Sequence, residues 1–148
     1  MITRLRSRLL ADERGSNAAE IVIIAPVVAM LILVLVAAGR TALADNATQS
    51  AAFAAARAAS LSRDVTTATT NAQDAAQRAM LHAGISCSTL TVNVDASGLN
   101  APIGTTGDVS ATVNCDVNLS DISLPGVPGS RTMTSSATSP VDAYRERG

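Results

Sequence analysis

The stretch IVIIAPVVAMLILVLVAAG, from Ile21 to Gly39, decides the architecture of this chain. These nineteen residues carry no charge and no strongly polar side chain. As an α-helix they would extend roughly 28 Å, close to the hydrocarbon thickness of a bilayer at about 30 Å. Because the run is apolar on every side, it predicts a transmembrane helix, which tolerates Pro26 when neighbouring helices satisfy the carbonyl that it frees.

The charges on the two sides of this run predict its orientation. Residues 1–19 carry four Arg against two acids, a net charge of +2, whereas residues 41–148 carry six Arg and nine acids, a net charge of −3. Arg-rich segments beside a membrane helix stay in the cytoplasm. We therefore predict a single-pass protein of the cytoplasmic membrane, with the N-terminus inside and the C-terminal domain extracytoplasmic.

Composition argues against several classes of function. Phe53 and Tyr144 are the only aromatic residues, and the chain has no Lys, so nucleic-acid binding lacks both stacking side chains and a basic patch. There is no Gly-rich phosphate loop, no nucleophile motif and no metal-ligand spacing. We predict no enzyme, no cofactor, no metal and no small-molecule substrate, and we interpret the single histidine, His82, as structural.

Two processing signals compete along the N-terminal part. Ala42-Leu43-Ala44 suits signal peptidase, which would release a secreted soluble binding module that begins at Asp45. Against this alternative, the apolar run exceeds the roughly 7–15 residues of a signal peptide, and Arg40 lies between the run and the junction. The other signal precedes the run: DERGS, residues 12–16, is followed by Glu20 at the membrane edge.

Residues 12–60 resemble the TadE/TadG-like minor pseudopilins of the tight-adherence (Tad, or Flp-type) pilus. The shared features are the Arg-rich leader, the DERG stretch, Glu20, one hydrophobic helix and the later element Ala55-Ala56-Arg57-Ala58-Ala59. The residue after the Glu is often aromatic in that family and is Ile21 here. The resemblance implies that a prepilin peptidase, a membrane aspartyl protease, cuts between Gly15 and Ser16. It also implies partners: other pilins or pseudopilins and the pilus assembly machinery.

Glu20 is the candidate assembly residue. A carboxylate at the hydrocarbon edge is costly unless it is paired or reaches the headgroups. By the resemblance, cleavage creates an ammonium on Ser16 that neutralises Glu20 on the same or a neighbouring subunit. The alternative is a Glu that marks the helix start, where an acid favours the helix dipole. For the whole chain, the corresponding alternative is a static single-pass envelope protein that is neither cleaved nor assembled.

Beyond the membrane run, the pattern predicts two helices and a sheet. The Ala-rich residues 41–62 should stay helical, with a break near 62–66 and a second helix ending at about Ala83, before Gly84. Alternating residues predict strands at 90–94 and 109–113, and a weaker third strand at 131–138. In the first segment, apolar residues spaced by three or four positions share one face of the helix: Leu43, Ala47, Ala51, Ala54, Ala58, Leu61 and Val65.

Cys87 and Cys115 both lie beyond the membrane run and predict one disulfide. Matching the apolar faces of the first two strands pairs even-numbered positions with odd-numbered ones, so the two cysteines cannot oppose each other directly. Either Cys87 lies in the loop that enters the strand, or a bulge shifts the register. We prefer the loop, because Gly84 is only three residues back.

Together these observations predict an α+β, pilin-like fold with a long N-terminal helix, a second helix and a small antiparallel sheet with one disulfide. Residues 1–15 would be a cytoplasmic basic leader, 16–40 the transmembrane helix, 41–83 an extracytoplasmic Ala-rich helical region and 84–148 a small β-rich domain. The resemblance implies a minor pseudopilin, a structural subunit of a Tad/Flp-type pilus or a related secretion system.

Overall fold

The computed structural model describes residues 13–118 and 129–144, with the backbone alone described for 13–20. The chain divides into two compact units, Met1–Gly39 and Arg40–Gly148, and the second is called the outer unit below. The predicted α+β fold is confirmed. In chain order the elements are α1 (Glu13–Ser60), α2 (Val65–His82), β1 (Cys87–Asp95), a short 3-10 helix (Ser97–Asn100), β2 (Gly107–Asn118) and β3 (Ser130–Val141).

The predicted break between the helices is confirmed, and polar side chains explain it. Ser60 Oγ donates to the Arg57 carbonyl at 2.9 Å, and Ser62 Oγ donates to the Ala58 carbonyl at 3.0 Å. Such local hydrogen bonds compete with the helical ladder at the end of α1. Asp64 then caps α2, because its carboxylate accepts from the Thr67 backbone N–H at 2.8 Å.

The end of α2 is a Schellman motif built on Gly84. Gly84 has a φ of 68°, in the left-handed region where a side chain is strained. Its N–H donates to the Leu81 carbonyl at 3.0 Å, and the next N–H, of Ile85, donates to the Met80 carbonyl at 3.1 Å. Ile85 and Met80 also pack together with the core, so the loop after α2 is fixed in place.

The sheet has the strand order β1-β2-β3, with antiparallel neighbours. The predicted pairing of even with odd positions is confirmed: Leu90 opposes Cys115, Val92 opposes Val113 and Val94 opposes Ala111. The third strand, predicted at 131–138, extends over Ser130–Val141. Alternation therefore sends the apolar residues of all three strands to one face of the sheet.

The preferred position of Cys87 was wrong, and the bulge alternative is correct. Cys87 is the first residue of β1 and opposes Val117, with a register shift between Cys87 and Thr89. The extra residue, Ser88, moves Cys87 onto the core face of the sheet. In a regular strand, Cys87 would lie on the outer face together with Thr89. The predicted disulfide joins Cys87 to Cys115 with a Cα–Cα distance of 5.4 Å.

The core of the outer unit consists mainly of alanine. Both aromatic residues lie outside it, Phe53 at 56% exposure and Tyr144 at 82%. Large side chains enter the core chiefly from the sheet, where Val109 and Val113 are fully buried. The helices contribute small residues, which allow their backbones to lie close to the sheet: Ala47, Ala51, Ala52, Ala55, Ala56, Ala59, Ala68, Ala72 and Ala76.

The helical face that the sequence period marks on α1 is only partly the buried one. Ala47 and Ala51 are buried, but Leu43 is 64% exposed and Leu61 is 70% exposed. The buried face instead passes through Ala55 and its neighbours at three- and four-residue spacing. Alanine occurs at so many positions that the sequence period alone does not select one face. The folded outer unit selects a face made mainly of alanine, which belongs to the same buried cluster as residues of the sheet.

Candidate membrane and assembly segment

The first part of α1 exposes large apolar side chains on every side of the helix. Their exposed fractions lie between 46% and 72%. They are Ile21, Val22, Ile23, Ile24, Val27, Val28, Met30, Leu31, Ile32, Leu33, Val34, Leu35 and Val36. A soluble protein rarely exposes a contiguous apolar patch larger than a few hundred Å². This part of the chain is long and apolar enough to cross a membrane, and none of its most apolar window is buried.

Pro26 lies inside α1 without ending it. Proline removes one donor and frees the carbonyl of the residue four positions earlier, a defect that costs about 3 kcal/mol in an exposed helix. In a membrane protein, neighbouring helices or hydroxyl side chains satisfy that carbonyl. The continuous helix is therefore compatible with a membrane span that has helical neighbours.

The residues of the predicted processing and pairing site all lie in the first turns of α1. The helix begins at Glu13, so the Gly15–Ser16 peptide bond and Glu20 have helical backbone. The side chains of residues 13–20 are outside the described part, and so is the proposed pairing of Glu20.

The competing signal-peptidase junction lies deeper in the helix. Ala42, Leu43 and Ala44 are all inside α1, which continues to Ser60. Ala44 has no exposed surface and belongs to the buried apolar residues of the outer unit. Cleavage after Ala44 would remove a buried residue and free a helix end within the folded part. This position favours a helix that stays intact through the junction.

The outer face of the sheet is mostly polar. Apart from the exposed Pro140, which opposes Asp108, its outward positions carry short hydroxyl, amide and carboxylate side chains, among them Thr89, Thr91, Asn93, Asp95, Ser110, Thr112, Asn114, Asp116, Thr132, Thr134, Ser136 and Thr138. Cross-strand hydrogen bonds join Thr112 to Ser136 at 2.8 Å and Thr134 to Asn114 at 2.8 Å. An antiparallel sheet with one core face and one solvated face has this pattern.

No three His, Cys, Asp or Glu side chains within residues 13–118 and 129–144 come together as a metal site would require. His82 is exposed in the last turn of α2. The backbone N–H of Thr67 lowers the pKa of Asp64, and that of Ser97 lowers the pKa of Asp95. Both carboxylates act as caps of local structure.

One cluster of residues in the outer unit was not predicted from the sequence. A cavity of about 430 Å³ is lined by three segments that are far apart in the chain: Arg40 and Leu43, Gly84 to Ser86, and Val117 with Asn118. No local pattern marks these residues, because only the folded outer unit brings them together. We call this cluster the entry-end cluster, since Arg40 is the residue at which the chain enters the outer unit.

Comparisons of the chain with protein-family models, with curated proteins and with solved structures find no match. A functional assignment therefore depends on the exposed apolar part of α1, on the residues that precede it and on the outer unit that follows it.

Proposed function

We propose that the protein is a minor pseudopilin, a structural subunit of a Tad/Flp-type pilus or of a related secretion system. One observation carries the proposal: the thirteen large apolar side chains of α1 that remain exposed between Ile21 and Val36. They directly follow the Gly15–Ser16 junction and Glu20, where the resemblance expects them. The outer unit supports a structural role, since its sheet presents short polar side chains to solvent.

In this proposal the helix crosses the cytoplasmic membrane once. The Arg-rich leader stays in the cytoplasm, and the outer unit lies outside, in a compartment that permits a disulfide. The Cys87–Cys115 bond supports this orientation, because stable structural disulfides are rare in a reducing cytosol. The protein is then found in the cytoplasmic membrane before assembly and in the pilus or secretion machine after it.

The proposed mechanism is structural. Prepilin peptidase cuts after Gly15 and creates an ammonium on Ser16, four residues before Glu20. Two opposite charges at the hydrocarbon edge neutralise each other, which lowers the cost of holding Glu20 there. When the pair forms between subunits, it sets the register of one helix beside the next. Lateral packing of the apolar helices then incorporates the subunit into the assembly.

The N-terminal residue of the protein isolated from its native envelope tests the proposal. We expect Ser16, which would establish pilin-type processing. Met1 would instead indicate a static envelope anchor, because the partner proposed for Glu20 would never form. Asp45 would indicate a secreted module, although the burial of Ala44 in the outer unit argues against that product.

Glu20→Ala tests the assembly step. We expect the variant to insert in the membrane and to be cut after Gly15, but to be missing from purified pili or secretion complexes. Asp74→Ala is the matched control: it removes the same charge from an exposed residue of α2, outside the processing signal, so incorporation should be normal. Equal incorporation of the two variants would contradict the proposed role of Glu20.

A further inference from the structure

Strand β1 lies at one edge of the sheet, and its outer side is open. It pairs with β2 alone, and the described part of the chain holds no backbone hydrogen bond from Thr89–Val94 to any other element. In an edge strand, every second residue points its N–H and C=O away from the sheet. These groups form a template on which another strand can pair.

The two edges of the sheet differ in their protection against such pairing. Proteins protect an open edge with charges, proline or a bulge. β3 carries Arg131 near its start and Pro140 near its end, and proline has no N–H to donate to a neighbouring strand. β1 has its bulge at Ser88, but Thr89–Val94 contains no charge, no proline and no further shift of register. The edge of β1 is therefore the one suited to strand addition.

A groove beside this edge leaves part of the core face uncovered. It has a volume of about 380 Å³, and the described residues that line it include Gln73 and Gln77 of α2 together with Leu90 and Val92 of β1. Leu90 and Val94 belong to the core face but are only half-buried, whereas Val92 between them is buried. An added strand would bring its own apolar side chains to this groove and complete the burial.

The sequence of β1 is complementary to a second copy of itself. When two copies pair antiparallel about Val92, every residue from 89 to 95 enters the ladder. Leu90 then opposes Val94 of the second copy on the core face, and Thr91 opposes Asn93 of the second copy on the outer face. A shift by one residue would turn apolar side chains to the outer face, so the pattern selects this register over its neighbours.

The same register keeps like charges apart. Asp95 is the only charged residue of β1. In the pairing about Val92 it opposes Thr89 of the second copy and lies at the far end of the ladder from the other Asp95. Like charges directly opposite each other destabilise a strand pair, and this pairing contains none.

We infer that two copies of the chain associate through the open edges of β1, which joins their two three-stranded sheets into one antiparallel sheet. The contact is isologous, because the same strand serves both copies, and a single contact pairs both open edges. The Leu90–Val94 pairs cover the groove beside α2, where the amides of Gln73 and Gln77 can donate to and accept from the second copy. The inference does not depend on the proposed membrane span and adds a self-association surface to the outer unit.

Site-specific photocrosslinking of the full chain in detergent micelles tests this inference. The photoreactive amino acid p-benzoylphenylalanine replaces Thr89 on the outer face of β1. In a matched control it replaces Thr132 on β3, because Thr89 and Thr132 oppose the same residue of β2, Asp116. We expect the probe at 89 to form a covalent dimer whose attachment, located by mass spectrometry, lies at or next to Asp95 of the second copy. The probe at 132 should form none.

A charge exchange identifies the partner of the edge. Thr91→Lys with Asn93→Lys sets lysine opposite lysine across the pair, so the covalent dimer from the probe at 89 should be lost. Thr91→Glu with Asn93→Glu should lose it equally. An equimolar mixture of the two double variants should restore it, because each lysine then faces a glutamate, and the restoration shows that both variants are folded. Thr134→Lys with Ser136→Lys alters the same two rows of the sheet on β3 and should keep the dimer.

Several results would overturn the inference. They are the absence of a covalent dimer from the probe at 89, attachment to an element other than β1, and a dimer that persists with lysine at 91 and 93. Attachment of the probe at 89 to a different protein in the native envelope would assign the edge to that protein instead. None of these probes lies in the apolar run, so these results leave the proposed function to its own test, the N-terminal residue.

Discussion

Helix α1 exposes large apolar side chains between Ile21 and Val36, whereas between Ala44 and Ala59 it buries mostly alanine. In water this distribution would be unfavourable, because each Å² of exposed apolar surface costs about 25 cal/mol. The two segments share one helical backbone, so backbone conformation does not distinguish them. The two segments differ in the size of their side chains. Bulky apolar residues suit a lipid surrounding, and alanine suits a closely packed core.

The comparison shows that the burial of a side chain in this protein depends on the surroundings of its segment as well as on its hydrophobicity. Leu31 and Leu61 are similarly exposed, at 62% and 70%, yet only Leu31 lies within the apolar run. The following predictions test this difference between the segments, from the largest expected effect to the smallest.

The largest effect should come from a charge in the apolar run. Leu31→Arg places a guanidinium near the middle of the run, which costs about 2.5–3.5 kcal/mol on insertion scales. We expect most of that variant to be lost from the membrane fraction after alkaline carbonate extraction. Leu61→Arg is the matched control and should be retained like the wild type. Equal retention of the two variants would mean that the run does not enter the bilayer.

The second effect concerns the sheet on which the alanine segment packs. Replacing both Cys87 and Cys115 by alanine should lower the free energy of unfolding of the outer unit by about 3–4 kcal/mol in the chain-entropy model. Pulse proteolysis of the full chain in micelles across a urea series measures this loss. Reduction of the wild-type disulfide should reproduce it. A double variant as stable as the oxidised wild type would contradict the prediction.

The third effect compares one substitution in the two segments. Ala55→Leu adds three carbons to a position with no exposed surface, where overpacking costs about 1–3 kcal/mol. Ala29→Leu adds the same group to an exposed position of the apolar run and should leave the stability of the outer unit unchanged. The same urea series distinguishes them. If Ala55→Leu proved neutral, the close contact between helix and sheet would be looser than the burial indicates.

Local rules were sufficient to predict much of the fold. The helix break, the stop at Gly84 and the pairing of Val92 with Val113 follow from capping, glycine conformation and alternation. Two features needed the tertiary structure. The bulge at Ser88 brings Cys87 to the core face, and the buried face of α1 is set by the other residues of the core cluster.

The candidate functional residues also fall into two groups, those close together in the sequence and those brought together by folding. Gly15, Ser16 and Glu20 are adjacent in the sequence, so a resemblance can identify them, and their roles stay predictions. The entry-end cluster combines Arg40, Ile85 and Val117, which are dozens of residues apart. No sequence pattern connects such positions when the chain is read alone. Residues that lie close together in the sequence can therefore be proposed as a site from the sequence, whereas surfaces assembled by folding cannot.

The smallest expected effect concerns Asp64, which caps the start of α2 just after the alanine segment of α1 ends. The two Asp64 carboxylate oxygens accept from the Thr67 N–H at 2.8 Å and from the Thr67 hydroxyl at 2.7 Å, which lowers the pKa of Asp64 in the folded state. The folded pKa lies below the unfolded value of about 3.9, so this stabilisation is present above that pH. It is lost as the pH falls through the folded pKa.

Asp64→Asn isolates this contribution, because asparagine still caps a helix and does not titrate. We expect the unfolding free energy of the variant to fall less steeply than that of the wild type as the pH is lowered below about 4. Asp95→Asn should reduce the slope in the same direction, since the N–H of Ser97 lowers the pKa of that carboxyl. Identical slopes for the wild type and Asp64→Asn would show that Thr67 does not favour the charged cap, and the helix break would then depend on Ser60 and Ser62 alone.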